Sequence, residues 1–253
     1  MTGGYVQRDY RRRFREDRRV HFTVKCRETD LCIGIDRASW QEEIPAFARR
    51  FVEALRAEMD AWIAGHPEYA RALVPQEATE DAPGIFHEMA AAARRSDIGP
   101  MSAVAGAVAR RTGEALKARF GVREVMVENG GDIYADLRED ADIAVFAGAS
   151  PLSERVGLRI RAEEGPVGIC TSSGTVGPSL SLGKADAVMV VCRDAALADT
   201  YATAFANEIQ SADDIPACLE RMKQKEDILA AIAIKEDKIG ISGIFELILF
   251  EKA

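Results

Sequence analysis

Five short apolar runs follow one another at residues 122–127, 143–146, 156–161, 167–170 and 187–192, and no segment of helical period separates them. Runs of this length, rich in valine and isoleucine and bounded by glycine, serine and aspartate, read as strands, and strands need partners for their backbone groups. A sheet must therefore occupy the middle of the chain, and everything else has to cover it. Helical periodicity lies before and after. Ile44, Phe47, Phe51, Leu55, Met59 and Trp62 recur at three- and four-residue intervals and stop at Gly65-His66-Pro67, which predicts a long amphipathic helix. A second helix starts near Pro100, carries Val104, Val108, Leu116 and Phe120, and ends at Gly121, a residue that accepts the left-handed cap conformation. Residues 64–86 read as loop with short helical pieces. Two strands at 20–25 and 31–35, connected through 27–30, open the chain; a helix at 195–208, a shorter one at 215–225 and strands turning at 236–238 close it. Helices interrupt the strands without the strict alternation of a doubly wound fold. The expected class is α+β (mixed α/β): one domain over residues 20–253, a mixed sheet flanked by helices, behind a separate arginine-rich segment, residues 1–19.

Charge and cysteine usage exclude several functions. A formal charge of -8 gives no general field for nucleic acid or anionic membrane, so neither is expected as a partner. The local exception is residues 1–19, with seven arginines against three acids. No apolar stretch follows those charges, and no run of about 18 apolar residues exists, so the expected location is cytoplasmic. The five cysteines are odd in number and contain no C-x-x-C pair, which fits reduced thiols. The three histidines form no H-E-x-x-H pattern, which removes zinc hydrolysis of that type.

Three segments are chemically dense. "ENGGDIY" at 128–134 places Asn129, Gly130, Gly131 and Asp132 where glycine allows close approach of a ligand to backbone; the same residues also make a plain hairpin turn. "CTSSGTVGPSLS" at 170–181 offers the hydroxyls of Thr171, Ser172, Ser173 and Thr175 beside Gly174 and Gly177, a loop able to cradle phosphate oxygens or simply to connect two strands. Lys184 is not preceded by G-x-x-x-x-G, so no Walker loop is present. In "ALADTYATAFAN" at 196–207, Asp199 and Thr203 stand four residues apart on one helix face. A carboxylate and a hydroxyl so placed make half a Mg²⁺ site; alternatively Asp199 complements the helix dipole and Thr203 packs.

In this order, Gly130-Gly131-Asp132, Thr171-Ser172-Ser173-Gly174 and Ala198-Asp199 with Thr203 resemble the G-G-D turn, T-S-G loop and A-D-x-x-x-T helix of the ApbE-like flavin transferase superfamily. The chain is most similar to its cytoplasmic branch. The resemblance spans roughly residues 100–210. It implies a fold that holds FAD or FMN, with Asn129 to Asp132 and Thr171 to Gly174 near the nucleotide and Mg²⁺ held partly by Asp199 and Thr203. In the transferases FMN passes to a threonine of a client protein, so a protein client is implied as a second partner. Three departures stand out. The family histidine between the T-S-G loop and the next strand is missing from "TVGPSLSLGKADA", the family's lysine-glycine pair falls at Ala105-Gly106, and no lipoprotein signal is present. The resemblance also brings an association with sulfide assimilation into homocysteine, which makes Cys170, next to the T-S-S-G loop, a candidate catalytic thiol for sulfur transfer. A third alternative is a non-enzymatic module whose arginine-rich start docks an acidic partner.

Overall fold

A computed structural model describes residues 18–175 and 182–251. Strands β1 (Arg19–Cys26), β2 (Thr29–Asp36), β3 (Val125–Asn129), β4 (Asp132–Asp136), β7 (Val167–Ser172), β8 (Ala187–Cys192), β9 (Ile228–Lys235) and β10 (Lys238–Gly243) form one sheet in the order β1-β2-β3-β4-β7-β8-β9-β10. The remaining strands, β5 (Ala141–Ala144), β6 (Val156–Ile160) and β11 (Glu246–Leu249), form a second sheet in the order β11-β6-β5. The helices are α1 (Ile44–Gly65), α2 (Pro67–Arg71), α3 (Gly84–Ser96), α4 (Val104–Phe120), α5 (Ala195–Glu208) and α6 (Ile215–Lys223). The α+β class stands. Its strand directions are simpler than a mixed sheet, since every ladder among the described residues is antiparallel.

Period-two alternation explains why the large sheet is buried on both faces. Along β8, Val188, Val190 and Cys192 join the core beneath the helices, while Ala187, Met189 and Val191 join a second core under the small sheet. β9 divides likewise, with Ala231 and Ala233 on the helix side and Ile232 and Ile234 on the other. Burial on both faces is what makes these segments continuous apolar runs in the sequence. Between β4 and β7 the chain leaves to build β5 and β6, then returns so that Asp132 pairs with Cys170 in the ladder.

Two elements differ from the sequence reading by their presence. α3 was not expected: its alanines carry helix propensity but blur the apolar stripe, which Ile85, Phe86 and Met89 supply. β4 lies directly behind the glycine turn and is too short to read alone. Other boundaries move: β3 starts at Val125 rather than residue 122, and β5 covers Ala141–Ala144 rather than 143–146. Of the arginine-rich start, residues 1–17 lie outside the described residues. Arg18 and Arg19 belong to the folded body: Arg18 donates to the Glu139 carboxylate at 3.0 Å, and buried Arg19 opens β1 and pairs with Glu124. Among the described residues no helix is long and apolar enough to cross a membrane.

Candidate functional site

The site depends on how closely α5 approaches the sheet. Ala195, the first residue of α5, is held between two glycines: a Cβ at Gly168 of β7 would lie 2.2 Å from its Cα, and one at Gly106 of α4 would lie 2.1 Å from its carbonyl oxygen. Asp194 caps the helix by accepting from the Ala196 N–H at 2.8 Å. One turn further on, Asp199 reaches the start of α4, where its carboxylate accepts the Gly106 N–H at 2.9 Å.

Asp132 arrives from the opposite side. Gly130 and Gly131 have φ of 73° and 109°, the positive values a two-residue hairpin turn requires, and Asn129 and Asp132 face each other across it. The hairpin reading of this segment therefore holds, and the turn places Asp132 at the end of β4 that faces α5. The Gly131 N–H donates to the Glu128 carboxylate at 2.9 Å, and the Asn129 amide donates to the Ala105 carbonyl at 3.2 Å, tying the turn to the start of α4.

Two carboxylates consequently meet in one half-buried to buried place. Burial first, then the charges of Asp199 and Glu128, hold Asp132 well above the usual carboxylate range; the Cys170 thiol and the Thr171 N–H oppose this. Burial pushes Asp199 up to about 7 against the stabilising N–H groups of Gly106 and Ala105. No lysine or arginine among the described residues forms an ion pair with either. Both are acidic groups that favour a shared proton or a cation.

The remaining candidate residues divide by strand alternation. Ser172, on the same face as Cys170, lies 3.4 Å from the Thr203 hydroxyl, which joins the T-S-S-G segment to α5. Thr171 pairs with Met189 and so faces the second core, away from the carboxylates. The backbone around Gly174 is used internally: its N–H donates to the Ala185 carbonyl at 2.9 Å, the Thr175 N–H donates to the Ser173 hydroxyl at 3.0 Å, and Ser173 also reaches the Ala185 carbonyl at 3.4 Å. Gly174 is required because a Cβ there would meet the Gly183 carbonyl oxygen at 2.1 Å. The amide-lined phosphate cradle expected from Ser173 and Gly174 is thus replaced by a self-bonded turn, and Gly177 lies outside the described residues.

Cys170 is fully buried, and its thiol donates to the Ala195 carbonyl at 3.5 Å. Burial, then Asp132 and Asp199, push the thiol well above its usual value, so it stays protonated. Cys170→Ser is expected to leave ligand binding within about twofold, with a stability loss of about 1 kcal/mol, since a hydroxyl keeps the donor. Thermal unfolding together with a binding titration checks both.

No histidine takes part: His66 stacks on Trp62 at 4.2 Å, His87 is exposed on α3, and His21 lies on β1. Among the described residues no three His, Cys, Asp or Glu side chains converge as a metal cluster. The groups that sequence reading passed over are Glu128 and the backbone N–H groups of Ala105 and Gly106. The only signal was the placement of Ala105-Gly106 where the family has its lysine-glycine pair. A cavity of about 450 Å³ opens elsewhere, lined in part by Arg95, Arg110, Asp194 and Asp227. None of the candidate residues lines it, and its guanidinium groups are paired within the chain, Arg110 with Glu88 and Asp194 and Arg95 with Asp227.

Comparison with known proteins bears on family and fold. A family model described as "AbpE bacteria" matches residues 11–235. The UPF0280 protein of Methanopyrus kandleri is 40% identical over 227 residues, covering 87% of this chain and 89% of its own. The UPF0280 protein of Methanocaldococcus jannaschii is 34% identical over 232 residues, covering 89% and 92%. In fold, the chain is similar to the apo form of the Pseudomonas stutzeri flavinyl transferase ApbE, with a TM-score of 0.60 at 16% identity over 88% of this chain and 93% of that one. It is also similar to the ApbE protein of Thermotoga maritima, with a TM-score of 0.56 at 11% identity over 88% and 97%. A match of that extent, with relatives aligned over most of their length, means that the chain belongs to the AbpE bacteria family, and its fold is that of the ApbE proteins.

Proposed function

We propose that this protein binds a flavin nucleotide, FAD or FMN, through its phosphates, and that the carboxylates of Asp199 and Asp132 would hold a Mg²⁺ ion at that site. The observation that carries the reading is the approach of these two acids, from segments 67 residues apart in sequence, without an ion pair to a basic side chain among the described residues. The donor set fits the ion. It consists of carboxylate and hydroxyl oxygens, with Thr203 and Ser172 beside the acids, and leaves positions for water and phosphate. When bound, a divalent ion neutralises charge on phosphoryl oxygens. The protein's own groups then have defined tasks. Gly106 and Ala105 fix the Asp199 carboxylate by their N–H groups, Asn129 fixes Ala105, and the Gly130-Gly131 turn presents Asp132.

Binding and FMN transfer separate in this reading. Transfer to a threonine requires a proton acceptor for the attacking hydroxyl, and no histidine supplies it here. The proposal is therefore a flavin-binding member of the family in which another group, from the client or from Asp132 itself, would have to accept that proton. Flavin fluorescence titration with FAD decides the first part. Saturable binding in 5 mM Mg²⁺ and at least tenfold weaker binding in EDTA are expected; binding that ignores Mg²⁺, or no binding at all, overturns the reading.

A further inference from the structure

Apolar exposure is concentrated at one end of the molecule. Of the exposed large apolar side chains among the described residues, Ile241, Ile244, Leu247 and Leu249 come from a single stretch. β10 ends the eight-stranded sheet and β11 ends the three-stranded sheet, so both sheets finish there with an outer strand edge. The ladders show which way these side chains face. Ile241 pairs with Ile232, Leu247 with Leu158, and Leu249 with Val156, and all three partners belong to the core between the sheets. These are core-facing side chains that the described residues leave partly open: Ile241 is 36% exposed, Leu247 37% and Leu249 75%. The corner that joins the two strands is closed by Phe245, only 7% exposed, so the open part lies along the strands.

We propose that this edge pairs with the same edge of a second copy of the chain, β10 against β10 about a two-fold axis, so that the two inter-sheet cores become continuous. A two-fold contact needs a surface that tolerates itself. On a chain of formal charge -8, charge on these two strands is confined to Lys238 at the start of β10 and Glu246 at the start of β11, one of each sign, and residues 239–245 and 247–250 carry none, so like-charge repulsion between copies is small here. The opposite edges carry exposed charge: β1 has Lys25, and β5 has Asp142 paired with Arg159. Size sets the expected strength. Six residues at about 3.3 Å each, across sheets about 10 Å apart with their strand widths, give a footprint of about 400 Å² per copy. The total of about 800 Å² is below the roughly 1,200 Å² of a standard stable interface and matches the handful of hydrogen bonds that one antiparallel strand pair makes, so the association is weak and reversible, with dimer forming only toward the upper end of the micromolar range.

Sedimentation velocity and light scattering on the full chain between about 1 and 100 µM test this. The mass should rise with concentration from 27.6 kDa toward twice that value. Leu249→Glu and Ile241→Lys should each weaken self-association at least tenfold with an unchanged circular dichroism spectrum. Amide exchange across Lys238–Gly243 should slow at the higher concentration in the unmodified protein only. A monomer at 100 µM, or a dimer indifferent to Leu249→Glu, overturns the proposal. Because Leu249 is so exposed, that variant decides even if Ile241→Lys fails to fold.

Discussion

Asp199→Asn is expected to reduce Mg²⁺-dependent FAD binding by about 100-fold while making the ligand-free protein more stable above pH 7. The two effects share one cause. The carboxylate is buried, its neighbour Asp132 is also acidic, and its affinity for a proton is raised to about 7. In the unfolded chain the same group titrates near 3.9. Its contribution to stability is therefore complete below about pH 4, declines as the pH rises, and is lost above about pH 7, where the folded protein must bury an ionised acid. Asparagine keeps an acceptor for the Gly106 N–H and removes that burden. A gain of about 1–2 kcal/mol at pH 8, or roughly 2–8 °C in Tm, is expected for a chain of this length, with little change at pH 4. A divalent cation acts oppositely, so Mg²⁺ should stabilise the unmodified protein more at pH 8 than at pH 6 and should not stabilise the variant. Scanning calorimetry at the three pH values, with and without Mg²⁺, reads all of this. A destabilised Asp199→Asn protein that retains its Mg²⁺ response would mean that Asp199 is a structural helix residue and not part of a cation site.

The largest loss of stability is expected from Gly168→Val. Valine would drive its Cβ to 2.2 Å from the Ala195 Cα and 2.8 Å from the Ala195 nitrogen, both backbone atoms that no rotamer change can move. α5 cannot retreat, because Gly106 of α4 already lies against the Ala195 carbonyl on the other side. The helix must lift from β7, which opens the core around Cys170, Ala198 and Ala202 and separates Asp199 from Asp132. A loss of about 3–5 kcal/mol, or about 6–20 °C in Tm, follows from overpacking against rigid backbone. Gly65→Ala is the control: nothing lies within 4 Å of its added methyl, and it should change Tm by only a degree or two. Equal Tm values for the two variants would show that the grip on Ala195 does not govern the placement of α5.

How much of this was legible beforehand depends on the range over which each feature acts. The long helix from Ile44 was readable because an apolar stripe every three or four residues is a local consequence of packing on one side. The same holds for α5, whose bounds Ala195–Glu208 coincide with the sequence reading, and for Gly121, found in the left-handed conformation at φ 65°. α3 was missed because its alanines blur a short apolar stripe that only Ile85, Phe86 and Met89 mark with large side chains. The self-bonded turn at Ser173 and Gly174 was misjudged because a glycine that admits a ligand and a glycine that admits another stretch of backbone are identical in sequence; only the position of Gly183 distinguishes them.

By itself, then, the amino-acid order determined most of the strands and helices, α3 and β4 excepted, a sheet in the middle of the chain flanked by helices, and which polar segments are unusual. Tertiary structure alone decided that β4 lies beside β7 across the excursion to the second sheet, that Thr171 faces away while Ser172 meets Thr203, and that Asp132 and Asp199 come together. Periodicity records the environment of a residue's own element. The meeting of two acids depends on the clearance between elements, and here that clearance is set by Gly106 and Gly168, which close on Ala195 only once the chain has folded.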